Sequence, residues 1–95
     1  IEQIRDLARE IRACRRISAV ILYGSFARGD FHEGSDIDLI IVGDFHERPH
    51  RRAATILGLT DLPIEPLCYT DEEFAELVRS ANPFIRQALA EGIRV

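Results

Sequence analysis

Ninety-five residues make one small domain, long enough to bury roughly two-thirds of the surface its unfolded chain exposes. With 46% apolar and 29% charged residues and a net charge of −4, the chain has the balance of a soluble globular domain, which argues against broad nucleic-acid binding. Its longest apolar run, Ala19 to Tyr23, falls far short of the roughly 20 residues of a membrane span. All 12 basic residues are Arg, which excludes Schiff-base chemistry and a P-loop lysine on phosphate.

Ile4, Leu7, Ala8 and Ile11 recur at helical spacing, so residues 2–14 read as an amphipathic helix. Its charges do not match a signal peptide, and the first residue is Ile rather than Met, so preceding residues are expected to be missing. Arg12, Arg15 and Arg16 gather at the end of this helix, where cations suit its dipole. A buried strand follows from about Ser18 to Tyr23 and stops at Gly24. Ser25 to Arg28 starts a short helix, and residues 30–35 form a polar loop broken by Gly34. The second strand runs from about Asp36 to Val42.

Residues 43–48 are a loop, after which Pro49 opens a helix that continues through Leu57 and ends at Gly58. The third strand, Ile64 to Tyr69, carries Glu65, Leu67 and Tyr69 on one face. Pro63 and Pro66 assign it to a sheet edge or a bulge. Thr70 and Glu73 form a capping box ahead of an apolar stripe of Phe74, Leu77 and Val78. Asn82-Pro83 opens a last helix through Ala90, closed by Gly92. The expected architecture is therefore α/β, a single domain over residues 1–95 with a small mixed β-sheet flanked by helices.

The chemistry concentrates around Gly24-Ser25 and Asp36-Ile37-Asp38. Alternation along a strand puts Asp36 and Asp38 on one face, with Cβ atoms about 6–7 Å apart. Two carboxylates on an otherwise apolar strand are costly unless paired, and a divalent cation is the simplest partner. Gly24 lets backbone approach a phosphate, and Ser25 adds a hydroxyl and backbone N–H groups. Together they point to a magnesium-bound nucleoside triphosphate. Arg28, one turn on, either clamps a phosphate oxygen or pairs with Asp30 or Asp36.

Other features read more plainly. His46-Glu47-Arg48-Pro49-His50 matches the zinc-protease string His-Glu-x-x-His, but Pro49 at a first helical turn leaves His46 outside the helix. His32 reads as a surface loop residue. Cys14 and Cys68 lack metal spacing and read as buried thiols of a reducing cytoplasm. Arg48, Arg51 and Arg52 read as a solvated helix face or as a patch for an acidic partner.

Gly24-Ser25 followed ten residues later by Asp36-x-Asp38 resembles the signature of the DNA polymerase beta nucleotidyltransferase superfamily, and most of all its minimal nucleotidyltransferases. The resemblance extends over nearly the whole chain, including Tyr69-Thr70 and Asn82-Pro83. It implies transfer of a nucleoside monophosphate, AMP from ATP or a counterpart from another NTP, with two Mg2+ ions held by Asp36, Asp38 and a third carboxylate. Glu65 is the candidate for that third place, with Glu72 and Glu73 as rivals at a helix N-terminus, where acidic residues are expected anyway. The family more often has Asp there, and the extra methylene moves the carboxylate by about 1 Å or more, a displacement that matters to rate.

The resemblance also implies a partner. The chain is expected to be too short for a second domain that holds an acceptor, and minimal nucleotidyltransferases resemble antitoxins paired with helical HEPN-type toxins. Some of them place AMP on a toxin tyrosine. The alternatives are a binding or antitoxin scaffold without catalysis, and transfer to a small molecule or RNA with a partner subunit. A homo-oligomer is a further expected assembly.

Overall fold

The sheet has four strands, one more than the sequence pattern predicts, in a computed structural model that describes residues 2–32 and 34–95. In chain order the elements are α1 (Glu2–Cys14), β1 (Ile17–Tyr23), α2 (Ser25–Arg28), β2 (Ile37–Gly43), α3 (Pro49–Leu57), β3 (Ile64–Tyr69), α4 (Asp71–Arg79), α5 (Pro83–Glu91) and β4 (Ile93–Arg94). The strands lie in the order β3-β2-β1-β4. β1 pairs antiparallel with both β2 and β4, while β2 and β3 run parallel. The sheet is therefore mixed, and β3 lies at its edge as its prolines require.

Side-chain alternation divides the sheet between two helical layers. Val20, Leu22, Leu39 and Ile41 bury one face against Ile4, Leu7, Ala8 and Ile11 of α1 and Ile56 of α3. Ala19, Ile21, Ile40 and Val42 bury the other against Ile85 and Ala88 of α5, with Phe74 and Leu77 of α4 alongside. Helix α4 starts on the predicted capping box: Thr70 Oγ1 accepts from the Glu73 N–H, and the Glu73 carboxylate accepts from the Thr70 N–H. Asn82 caps α5 through the Ile85 N–H at 3.2 Å, and Pro83 takes the first turn.

The missed strand, β4, is only two residues long. Ile93 and Arg94 pair with Leu22 and Ile21, and Val95 N–H donates to Val20 C=O at 3.0 Å. Gly92 makes the approach feasible, because a Cβ there would lie 2.6 Å from Ile21 Cγ2. A two-residue segment carries no periodicity, and only the tertiary contact defines it.

Four further expectations need correction. β2 starts at Ile37, leaving Asp36 one residue before the strand. Val78 is exposed, since α4 turns Phe74 and Leu77 inward and Val78 away. Cys14 is exposed at the last residue of α1, while Cys68 is half-buried; both are free thiols. Arg52 is no part of a solvated face. It is buried, donates from Nε to Glu47 C=O at 3.1 Å and from Nη1 to Cys68 C=O at 3.3 Å, and reaches Glu73 Oε1 at 2.6 Å.

Candidate active site

Three residues form a row across the sheet: Tyr23 of β1 is opposite Asp38 of β2, which is opposite Glu65 of β3. Neighbouring Cβ atoms in such a row stand about 4.5–5.5 Å apart. Asp38 shares its strand face with Ile40 and Val42, so the row looks toward the α5 layer. Asp36 is exposed at the lip of β2. The next residue's N–H, that of Ile37, donates to Pro63 C=O at 2.8 Å, which ties the lip to the start of β3.

The carboxylates feel one another. Burial pushes the Asp38 pKa up, and the Asp36 charge adds to it, while sharing with Glu65 and the Arg28 charge pull the other way. Glu65 is also raised, chiefly by the negative charge of Asp36 and then by burial and Asp38. Tyr23 is pushed up to about 12 by burial and by Asp38. Like charges gathered at one place hold protons more tightly, and a cation would relieve them.

Gly24 follows Tyr23 with φ 75° and ψ −151°, a backbone that L side chains rarely adopt. An added Cβ would stand 2.4 Å from Asp38 Oδ2. The glycine therefore lets the chain cross directly over the Asp38 carboxylate. α2 then runs from Ser25 to Arg28 and is capped by Gly29, whose φ of 81° and N–H bond to Ser25 C=O close the turn. Between this turn and α5 lies a cleft of about 370 Å3. Tyr23, Gly24, Ser25, Arg28 and Asp38 line one side; Phe84, Gln87, Ala88 and Glu91 line the other.

Of the predicted site residues, Gly24, Ser25, Arg28 and Asp38 share this cleft, while Asp36 and Glu65 flank Asp38 beyond its lining. Arg28 is 44% exposed and pairs with Asp30 at 3.3 Å and Glu91 at 3.4 Å; the alternative pairing with Asp36 is not among its ion pairs. Among the described residues, no group of three or more His, Cys, Asp or Glu side chains forms a ready metal cage. The donor set is nonetheless oxygen only and mutually repelling, which suits Mg2+ with phosphate and water completing its shell. These residues fit the ion as one wall of its site.

The zinc string fails as its proline predicts. α3 starts at Pro49, and His46 lies outside it, exposed and 3.2 Å from Asp44. His50 and His32 are exposed.

Sequence reasoning missed the α5 wall and Tyr23. Phe84 meets Tyr23 edge-on, with centroids 5.4 Å apart and planes at 84°. The signal was present in the spacing, since Phe84, Gln87, Ala88 and Glu91 recur at i, i+3, i+4 and i+7 behind the Asn82 cap.

With this geometry in place, the comparisons with known proteins are specific. The family model described as "Nucleotidyltransferase domain" matches residues 1–94. The "Putative protein adenylyltransferase MJ0604" of Methanocaldococcus jannaschii is 66% identical over 29 residues, 30% of this chain and 29% of that protein. The "Putative protein adenylyltransferase MJ0141" of the same organism is 41% identical over 44 residues, 44% of each chain. The matches thus span less than half the length of either relative. Among solved structures, a "putative nucleotidyltransferase from Sulfolobus solfataricus" has a TM-score of 0.67 at 17% identity, over 98% of this chain and 76% of that one. A "toxin-antitoxin with AMP-PNP" has a TM-score of 0.60 at 21% identity, over 98% and 69%. At these identities the two structures share a fold with this chain.

Proposed function

Because the chain belongs to the nucleotidyltransferase domain family over residues 1–94, we propose that it transfers AMP from magnesium-bound ATP to a tyrosine hydroxyl of a helical, HEPN-type partner protein. The observation that carries this reading is the passage of Gly24 backbone over the Asp38 carboxylate, which sets the Gly24-Ser25 turn against Asp38, with Asp36 and Glu65 beside it. The names of the two archaeal relatives, both protein adenylyltransferases by description, favour a protein acceptor.

In this reading Ser25 and the backbone at the start of α2 receive the triphosphate, and Arg28 exchanges its carboxylate partners for a phosphate oxygen. Asp36, Asp38 and Glu65 would hold two Mg2+ ions. When bound, these ions neutralise the phosphates and stabilise the attacking and leaving oxygens. The acceptor oxygen forms a bond to the α-phosphorus as the bond to the β-phosphate oxygen breaks, and pyrophosphate leaves with the electron pair. Glu65, whose proton affinity Asp36 raises, would serve the attacking-side ion or take the hydroxyl proton. The two free thiols suit a reducing compartment, and the cytoplasm is the location this reading proposes. Among the described residues no helix is long and apolar enough to cross a membrane.

Intact-mass spectrometry of the co-expressed partner tests the reading. An AMP-sized gain on a partner tyrosine is expected with this chain and is absent with Asp36→Asn. An unmodified partner that still binds and is still inhibited would replace the reading with a non-catalytic antitoxin scaffold.

A further inference from the structure

A second groove, of about 530 Å3, opens over the outer edge of β3 between α3 and α4, away from the nucleotide cleft. Its floor is mainly apolar, formed by Tyr69, Leu77 and the Arg52 stem, and its α4 rim carries Glu72 and Glu76. The cation within it is already matched, because Arg52 is buried on Glu73 and the Cys68 carbonyl. Glu76 is held by Arg79 in an exposed i,i+3 pair, so the rim's net negative charge beside the apolar floor rests on Glu72.

The strand edge itself is poorly suited to another strand. Pro66 has no N–H to offer, and the Cys68 carbonyl is taken by Arg52. An occupant must therefore insert side chains between the two helices, as an amphipathic helix does in a groove. On the same strand, Leu67 is 38% exposed and shares its face with Glu65 and Tyr69. Glu65 and Tyr69 are four residue steps apart on the strand, about 13 Å, which about two and a half turns of helix would span.

We propose that this groove docks an amphipathic helix of a partner protein, its apolar stripe on Tyr69 and Leu77 and its Arg or Lys flank against Glu72 and, in exchange for Arg79, against Glu76. Leu67 then continues the contact toward Glu65. The docking surface rests on the groove alone; its use in presenting an acceptor to the carboxylates rests on the function proposed above.

Titrating the 15N-labelled chain with a synthetic helix of about 14 residues, Leu at i, i+3, i+4 and i+7 and Arg on both flanks, tests the surface. The expected result is saturable shifts at Tyr69, Glu72 and Leu77 that weaken with salt. Glu72→Arg combined with Glu76→Arg should lower affinity at least tenfold while spectral dispersion is retained. Equal binding of a twin peptide with Glu in place of Arg would overturn the proposal. So would unchanged affinity in the double variant, absent shifts, or concentration-dependent shifts at these residues without peptide, which would make the occupant a second copy of the chain. ATP with magnesium, added to the same sample, reports separately on Gly24 and Ser25, so failure of the nucleotide reading leaves the docking result standing and the reverse also holds.

Discussion

Gly24 carries two independent constraints, a φ of 75° and a carboxylate where its side chain would be. Either alone would select glycine; together they link the fold of the turn to the chemistry of Asp38. Ala81 offers the contrast. It also has positive φ, at 55°, but closes α4 in a Schellman arrangement, with Asn82 N–H on Leu77 C=O and Ala81 N–H on Val78 C=O. A methyl is tolerated at that surface turn because the strain is conformational only. Gly24→Ala adds a clash with Oδ2 to the same strain, so a loss of about 1–3 kcal/mol in stability is expected. Chemical denaturation measures it. Nucleotide binding should fall further than stability does, because Asp38 must move from the cleft. A variant that keeps both wild-type stability and ATP affinity would show that the close approach is not required.

At the scale of elements, α1, β2, α3 and α4 meet at a corner built on Phe45. The Arg15 guanidinium lies 4.8 Å from that ring and that of Arg52 lies 5.8 Å from it on their respective approaches. Arg15 also grips Glu47 with two bonds, of 2.8 and 2.7 Å. Those bonds bring the Glu47 pKa down from 4.5 to about 2. A depressed folded pKa means stability that is fully present above the ordinary carboxylate value and lost as pH falls toward about 2. Glu47→Gln is therefore expected to cost about 1 kcal/mol at neutral pH, with the gap from wild type closing as melts are taken down through pH 4 to 3. A gap that stays constant across that range would mean the pair does not supply the acid dependence. This corner also marks the limit of what the sequence reveals. Helix caps, prolines and apolar spacing are local signals, and they locate α1, α3, α4 and α5 within a residue or so. The partners of Arg15 and Arg52 lie 32 and 21 residues away, and no local pattern predicts them. In the site the same division holds: Gly24, Ser25, Asp36 and Asp38 are legible as a spaced motif, whereas the spacing of Phe84, Gln87, Ala88 and Glu91 gives a helix face but not the strand it folds back over.

For the molecule as a whole, the cleft between the Gly24 turn and α5 is a place where stability has been left incomplete. Asp38 and Glu65 both hold protons more tightly than free carboxylates, in part because Asp36 is so near, and the turn over Asp38 keeps them together. A cation alone removes repulsion but finds only one protein wall of ligands. ATP alone adds a polyphosphate beside three carboxylates. Only the two together satisfy both the carboxylates and the phosphates, so their stabilisation should exceed the sum of either added separately. A ligand at about 100 times its dissociation constant adds about 2.7 kcal/mol to folding. In a domain of this size each kcal/mol is worth about 4–8 °C, so a rise in Tm of about 10 °C or more is expected with magnesium and ATP together. Asp38→Asn should remove most of that rise without lowering the unliganded Tm, since it relieves repulsion as it removes a ligand. Thermal melts of both proteins, with each component alone and with both, measure the coupling. Equal shifts in wild type and Asp38→Asn would place the nucleotide elsewhere, and a full shift with ATP and no metal would remove the carboxylate row from its binding.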